Sequence, residues 1–394
     1  MLSRDATIQF PTATPVRTLL VGADNATSSI DGLLVRIPGR VCISYEPSND
    51  TNLVTVHLYG SVYTAKSSRP LDVDTLLLRK GLTVLTLNAA TTWAPSLTSL
   101  VHVVLHQPHR LRYLSTTADT VLLPPIHGSV LPSDDVGRRS HVQLTARATG
   151  SIYVNEAPPL EIGSLTLENY GSGAVQVQLR SRLAVQTTLE VKAMGTGAIA
   201  IATPHLDANL VRTFAASDGD VYLEAGTLSA PFLRSTMAGS GDIAFASRQH
   251  AVTCANHDVS MLGDGTIDAG AMACNRTFVY SAGPGHVIVD GGLVLETTHV
   301  GSGHTSYAST PPLSITHIGF GPRQGVHASQ AVPRHWTFAP APPMAPLAVM
   351  ALEATTMSHA LASSVEGVLF VCVAAAVPML LWTYLKRRNY ALLP

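Results

Sequence analysis

Four residues carry the chemistry worth testing first: Asp220, Asp242, His286 and His304. Each holds the fourth place of a small-residue corner, reading SDGD from Ser217, GSGD from Gly239, GPGH from Gly283 and GSGH from Gly301. If such corners stack one strand spacing apart, the two carboxylates stand roughly 5 Å from each other. That separation suits the acid and nucleophile of a retaining glycosidase. A row of Asp and His could also hold a metal, with His286 and His304 as the candidate ligands. Against both stands a structural reading. Asp after a glycine corner is a common turn residue whose carboxylate accepts hydrogen bonds from nearby backbone N–H groups. The same row also reads Ala174, Ala198 and Thr266. The structural reading is preferred, and no catalytic residue, cofactor or metal is expected. No GxSxG, HExxH or P-loop occurs to point elsewhere.

The elements that would position this row form a series. Corners begin GSGAVQV at Gly171, GTGAIAI at Gly195, SDGDVYL at Ser217, GSGDIAF at Gly239, GDGTIDA at Gly263, GPGHVIV at Gly283 and GSGHTSY at Gly301. Successive starts differ by 24, 22, 22, 24, 20 and 18 residues, and a weaker copy, ATGSIYV, starts at Ala148. Apolar residues hold the fifth place (Val175, Ile199, Val221, Ile243, Ile267, Val287), and mostly apolar ones the seventh. Strand alternation puts both places on one face. A unit this short cannot bury that face alone, but stacked units can, each advancing about 4.8 Å. The spacing therefore predicts a parallel β-solenoid. Its corner glycines are Gly171, Gly173, Gly195, Gly197, Gly219, Gly239, Gly241, Gly263, Gly265, Gly283, Gly285, Gly301 and Gly303. Each is expected to allow a sharp bend, with positive φ, where a Cβ would strike the neighbouring unit. A phosphate loop would need a following Lys-Ser/Thr and a helix, and calcium-binding β-rolls repeat every nine residues. Neither pattern fits.

The four cysteines agree with this register. Cys254 lies nine residues before Gly263, and Cys274 nine before Gly283, which places the pair on adjacent units. They are expected to bridge if the domain is exported, and otherwise to stand as two buried thiols. Cys42 and Cys372 complete the count, and no zinc spacing occurs. Three glycosylation sequons begin at Asn25, Asn49 and Asn275.

The recurrent corner, complete only at Gly239 to Ile243, resembles the GSGDI/GSGDV corners of the head GIN domain of auto-transporter adhesins. The upstream GLLVRIPGRVCISYEP, LVTVHLYG and VHVVLHQPHRLRYLSTTADTVLL stretches are similar to that family's opening strands and first repeat. The resemblance spans roughly residues 30–310. It implies a β-solenoid with an adhesive role and brings no catalytic residues. The chain departs from it where corners carry Ala, Thr or His, and where LLPPIHGSVLPSDDVG lengthens one unit.

Composition bounds the rest. Charged residues make 13% of the chain, hydrophobic ones 46%, and Gly and Pro number 30 and 25, which favours short strands and many turns. A net charge of −1 without a basic stripe argues against nucleic acid. Near the C-terminus, GVLFVCVAAAVPMLLWTY (367–384) is uncharged, ends in Trp382 and Tyr384, and precedes Lys386, Arg387 and Arg388. This predicts one transmembrane helix, with the lipid bilayer as a partner through 367–384.

The expected organisation is a loose lead (1–30), a β-rich cap (31–110), solenoid repeats (111–310), a Pro/Ala-rich linker (311–364), the membrane helix (365–385) and a basic cytosolic tail (386–394). Strands of the cap are expected at 33–37, 40–45, 53–59, 75–78 and 101–105. The predicted function is a membrane-anchored, non-enzymatic adhesion or binding module, its large domain extracellular or luminal, its ligand an unknown glycan or protein. Two alternatives stand beside it: a carbohydrate-active β-helix enzyme, and a tail-anchored scaffold inside the cell. The opening MLSRDATIQFPTATPVRTLLVG lacks the apolar core of a signal peptide, which is what keeps the second alternative open.

Overall fold

The structure is a computed structural model. It describes residues 15, 17–22, 30–46, 52–59, 71–77, 83–89, 100–107, 111–123, 141–156, 159–290, 292–308, 310–320, 326–329 and 336–342. The residues of the expected membrane helix, together with Asn25 and Asn49, lie outside these.

The described chain is all-β, with 25 strands and no helix. Seven strands open it: β1 (Arg17–Gly22), β2 (Gly32–Arg36), β3 (Arg40–Tyr45), β4 (Asn52–Tyr59), β5 (Leu71–Leu77), β6 (Thr83–Ala89) and β7 (Leu100–Leu105). Next come β8 (Tyr113–Thr116), β9 (Asp119–Leu122), β10 (His141–Ala146), β11 (Ile152–Glu156), β12 (Leu160–Asn169) and β13 (Val175–Leu179). Then follow β14 (Arg182–Ala193), β15 (Ile199–Ala215), β16 (Val221–Ser229), β17 (Phe232–Met237) and β18 (Asp242–Met261), of which β15 and β18 are the longest described strands. The series closes with β19 (Thr266–Ala269), β20 (Cys274–Ser281), β21 (His286–Val289), β22 (Val294–Val300), β23 (His304–Tyr307), β24 (Ser314–Phe320) and β25 (Val326–Ala328).

Pairing sorts these strands into two long ladders, with a short third run of parallel pairs between them through Leu160, Leu183, Leu206, Leu228 and Val252. The strands that follow a corner pair in parallel in the order β9, β11, β13, β15, β16, β18, β19, β21, β23, β25. We call this the first ladder. The strands that lead into a corner pair in parallel as β8, β10, β12, β14, β15, β17, β18, β20, β22, β24, the second ladder. Strands β15 and β18 run through a bend and serve both.

Register follows the repeat. Ile152, Val175, Ile199, Val221, Ile243, Ile267 and Val287 are Cα partners in turn, and all are buried. One unit's fifth place therefore packs on the next, and the seventh does likewise, from Val177 through Ile201, Leu223 and Phe245. Burying one such side chain contributes about 1.5–3 kcal/mol, so the columns are the main source of cohesion.

The corners work by close approach. A Cβ on Gly197 would meet the Gly173 carbonyl oxygen at 1.7 Å, and one on Gly265 the Gly241 oxygen at 1.8 Å. The expected positive φ is not general. Among corner positions it occurs at Ala148, Ser217 and Gly301 only. Glycine is needed there because the neighbouring unit's backbone leaves no room.

The N-terminal end is built differently. β5 joins β6, and β1 joins β4 and β4 joins β7, all antiparallel. β6 and β7 then hand over to parallel partners β2 and β3, which reach β8 and β9. Strand β1 falls in the stretch read as a loose lead, and β6 was not among the strands expected of the cap. The linker expected from residue 311 also begins with ordered strands, since β24 pairs with β22 and β25 with β23. Flanking prolines hide β24 in the sequence, yet Ser314–Phe320 presents full donors and acceptors to its neighbour.

Candidate functional site

The corner row comes first. Asp220 and Asp242 are brought to adjacent units, as their spacing implies. There the Asp220 carboxylate accepts a hydrogen bond from the backbone N–H of Asp242 at 2.8 Å, and Asp242 accepts one from the N–H of Thr266 at 3.0 Å. Two earlier units repeat the arrangement. Asp119 accepts from the Ser151 N–H at 3.1 Å, and the Ser151 hydroxyl from the Ala174 N–H at 3.0 Å. The oxygen at the fourth place thus clips one unit to the next. This is the geometry of a structural acceptor, used where the corner would leave an N–H unsatisfied.

His286 and His304 are Cα partners with rings stacked at 3.9 Å, inclined by 22°. His286 Nε2 meets the Ser306 hydroxyl at 2.7 Å. Burial, reinforced by the neighbouring His304, pushes His286 down to about 4, so its ring is neutral at physiological pH. Among the described residues no group of three His, Cys, Asp or Glu side chains gathers to hold a metal.

Cys254 and Cys274 are Cα partners 4.5 Å apart and form a disulfide. Cys42 is a buried free thiol, raised by burial to about 12 and hence inert. Asn275 follows Cys274 directly and is exposed on β20.

The outward faces of the two ladders differ sharply. On the first, Tyr153, Gln176, Ala200, Tyr222 and Ala244 form one column of Cα partners. The chain itself covers this column. Trp336 and Phe338 pack against Ala200, Tyr222 and Ala244, with the Trp336 ring 6.4 Å from that of Tyr222. Ala341 continues onto Cys42, Tyr59, Leu100, Val121 and Leu123. Small Ala side chains between aromatic walls make the seat that this strap, Trp336–Pro342, fills.

On the second ladder the outward face carries no such strap among the described residues. Its columns set Arg212, Arg234 and Asp258 in register, with Phe278 and Glu296 continuing the line. Phe214 and Tyr280 lie on the same face, and Phe232 is 49% exposed. Arg234 pairs with Asp258 at 3.3 Å and Arg276 with Glu296 at 3.4 Å, while the Arg276 guanidinium rests 5.1 Å over the Phe278 ring. These pairs are exposed, so they order the side chains more than they stabilise the fold. Aromatic and Arg side chains held in this way are the groups that dominate binding surfaces. Sequence reasoning missed this face. Its only trace is the 22-residue step from Arg212 to Arg234 in strands that lead into corners rather than out of them.

No model of a known protein family matches the chain, and no curated protein matches it. Two solved structures align along most of its length. One is a candidate adhesin from Parabacteroides merdae ATCC 43184, 14% identical with a TM-score of 0.32, covering 80% of this chain and 96% of that one. The other is a candidate adhesin from Bacteroides fragilis NCTC 9343, 13% identical with a TM-score of 0.26, covering 82% and 100%. Likeness at this level leaves fold and function to the chain's own residues.

Proposed function

We propose that the chain is a non-enzymatic binding module: a parallel β-solenoid, tethered to a membrane through 367–384, that engages its partner on the outward face of the second ladder. One observation carries this reading. One outward face carries the chain's own strap, and the other sets Arg212 and Arg234 in one column of Cα partners and Phe232 and Arg276 in the next, with Phe232 49% exposed among the described residues. A repeat that returns its outward residues every 4.8 Å or so makes a long regular surface, suited to an extended ligand. The Gly-Ser-Gly-Asp corners, in resembling those of head GIN domains, agree with an adhesive role.

The disulfide supports an extracellular or luminal setting, because such bridges persist in oxidising compartments. It speaks against the tail-anchored scaffold. The engagement of Asp220 and Asp242 as backbone acceptors speaks against the glycosidase.

The test sets two variants of the full-length chain against a glycan and cell-surface panel. Replacing Phe232, Arg234 and Phe278 together by Ala is expected to abolish capture, and Asp220→Asn with Asp242→Asn to leave it intact. Hydrolysis of any glycan by the parent chain, lost in the double Asn variant, would overturn the reading.

A further inference from the structure

The two ends of the ladders are guarded differently. At the N-terminal end β1 and β5 are both edges among the described strands, and β5, which ends the run that leads through β6, β2 and β8 to β24, carries two exposed acidic residues, Asp72 and Asp74. Charges on an edge strand prevent another strand from adding to it. At the other end, β24 (SITHIGF) and β25 (VHA) hold no Asp, Glu, Lys or Arg. Each pairs on one side only among the described strands. Ile315, whose Cα partner Leu295 is buried, is 42% exposed, and no further unit lies over it among the described residues. Leu313 is 83% exposed and Ile318 55%. This is an apolar, unguarded edge at the end of the core.

We infer that a second copy of the chain covers it, pairing β24 with β24 in antiparallel fashion about a two-fold axis at His317. The strand is self-complementary in that arrangement. Counting outward from His317, Thr316 faces Ile318 of the other copy, and Ile315 faces Gly319. On the core side, then, the large side chain lies over the residue that has none, and the sheet continues without a cavity. A two-fold contact closes on itself, and the acidic β5 edge keeps the same end from adding head to tail into filaments.

The strap argues that the chain does not cover this edge with its own next segment. Trp336 and Phe338 lie on the first ladder, and Ala341 packs against the cluster that includes Tyr153. Tyr153 lies eight pairings away, along β25–β23–β21–β19–β18–β16–β15–β13–β11. At about 4.8 Å each, that is roughly 38 Å from the open rung. This inference rests on the winding proposed above.

Sedimentation of the full-length chain in detergent tests it, together with oxidative crosslinking in a Cys372→Ser background. The parent should sediment as a dimer. Ile315→Lys places a charge on the core side of the contact and should weaken dimerisation on the order of 100-fold, since an unpaired buried charge is costly. His317→Cys should form a covalent dimer, because the two copies of that residue face each other across the axis. A monomeric parent, or a dimer indifferent to Ile315→Lys, overturns the inference. So does failure of the His317→Cys crosslink in a preparation that still binds its panel ligands. The native Cys254–Cys274 bridge between adjacent units is read in every sample: its loss marks a failed winding, its presence a failed pairing alone.

Discussion

At the scale of single residues, the corner explains both the glycines and the acids. Gly197 and Gly265 sit where a Cβ would overlap the carbonyl of the preceding unit. Gly265→Ala should therefore cost several kcal/mol, on the order of 3 or more, and lower the melting temperature accordingly. Ser217 is the converse case: a non-glycine residue held at φ 124°. Ser217→Gly is expected to stabilise the fold by about 1 kcal/mol, measured by denaturant unfolding, because it removes that backbone strain. Histidines give the pH dependence. His257 is buried against Phe245 and hydrogen-bonded to Ser235 at 3.0 Å, and burial lowers it to about 4; burial, aided by His57, does the same to His102. An unfolded chain takes up these protons near pH 6.5, whereas the folded one does not until about pH 4. The neutral form's stability is present above the unfolded value and is lost as pH falls from 6.5 to 4, by up to about 3 kcal/mol for His257. His257→Gln should flatten part of that acid limb in a pH series of unfolding curves.

At the scale of the elements, what the sequence revealed and what it hid have one cause. Strands that leave a corner announce themselves, because Val175, Ile199, Val221 and Ile243 recur behind a glycine pair that sets the register. Strands that enter a corner have no such marker. Their inner columns mix Val191, Thr213, Ser235 and Val259, so alternation of hydropathy fades although the pairing is unbroken. This concealed the aromatic and Arg face, the most informative surface of the molecule. The strap was hidden for a different reason. Pro-rich sequence reads as a spacer, and nothing local tells that Trp336 and Phe338 find Ala200 and Ala244 some ninety or more residues away. The disulfide, by contrast, was legible from its spacing, since equal offsets from two corners become adjacent Cα positions. Reducing it should lower stability by about 3 kcal/mol, the loop entropy expected for a bridge of sequence separation 20, as read by unfolding with and without reductant.

At the scale of the whole molecule, the account assigns different tasks to different surfaces. The inside holds apolar columns and one outward face carries the strap, while the partner face and the contact of the last rung with a second copy are the tasks proposed above. All of these depend on units that stack in parallel, one above the next. The most direct measurement is crosslinking of paired cysteines placed on the open face of the full-length chain. Arg212 and Arg234 are Cα partners on adjacent strands, whereas Arg212 and Asp258 are separated by two pairings. Arg212→Cys with Arg234→Cys should close an intramolecular disulfide readily, since neighbouring strands lie within the 4.4–6.8 Å span that such a bridge requires. Arg212→Cys with Asp258→Cys, roughly 10 Å apart, should not. Equal bridging by both pairs, or bridging by the second alone, would contradict the stacked register.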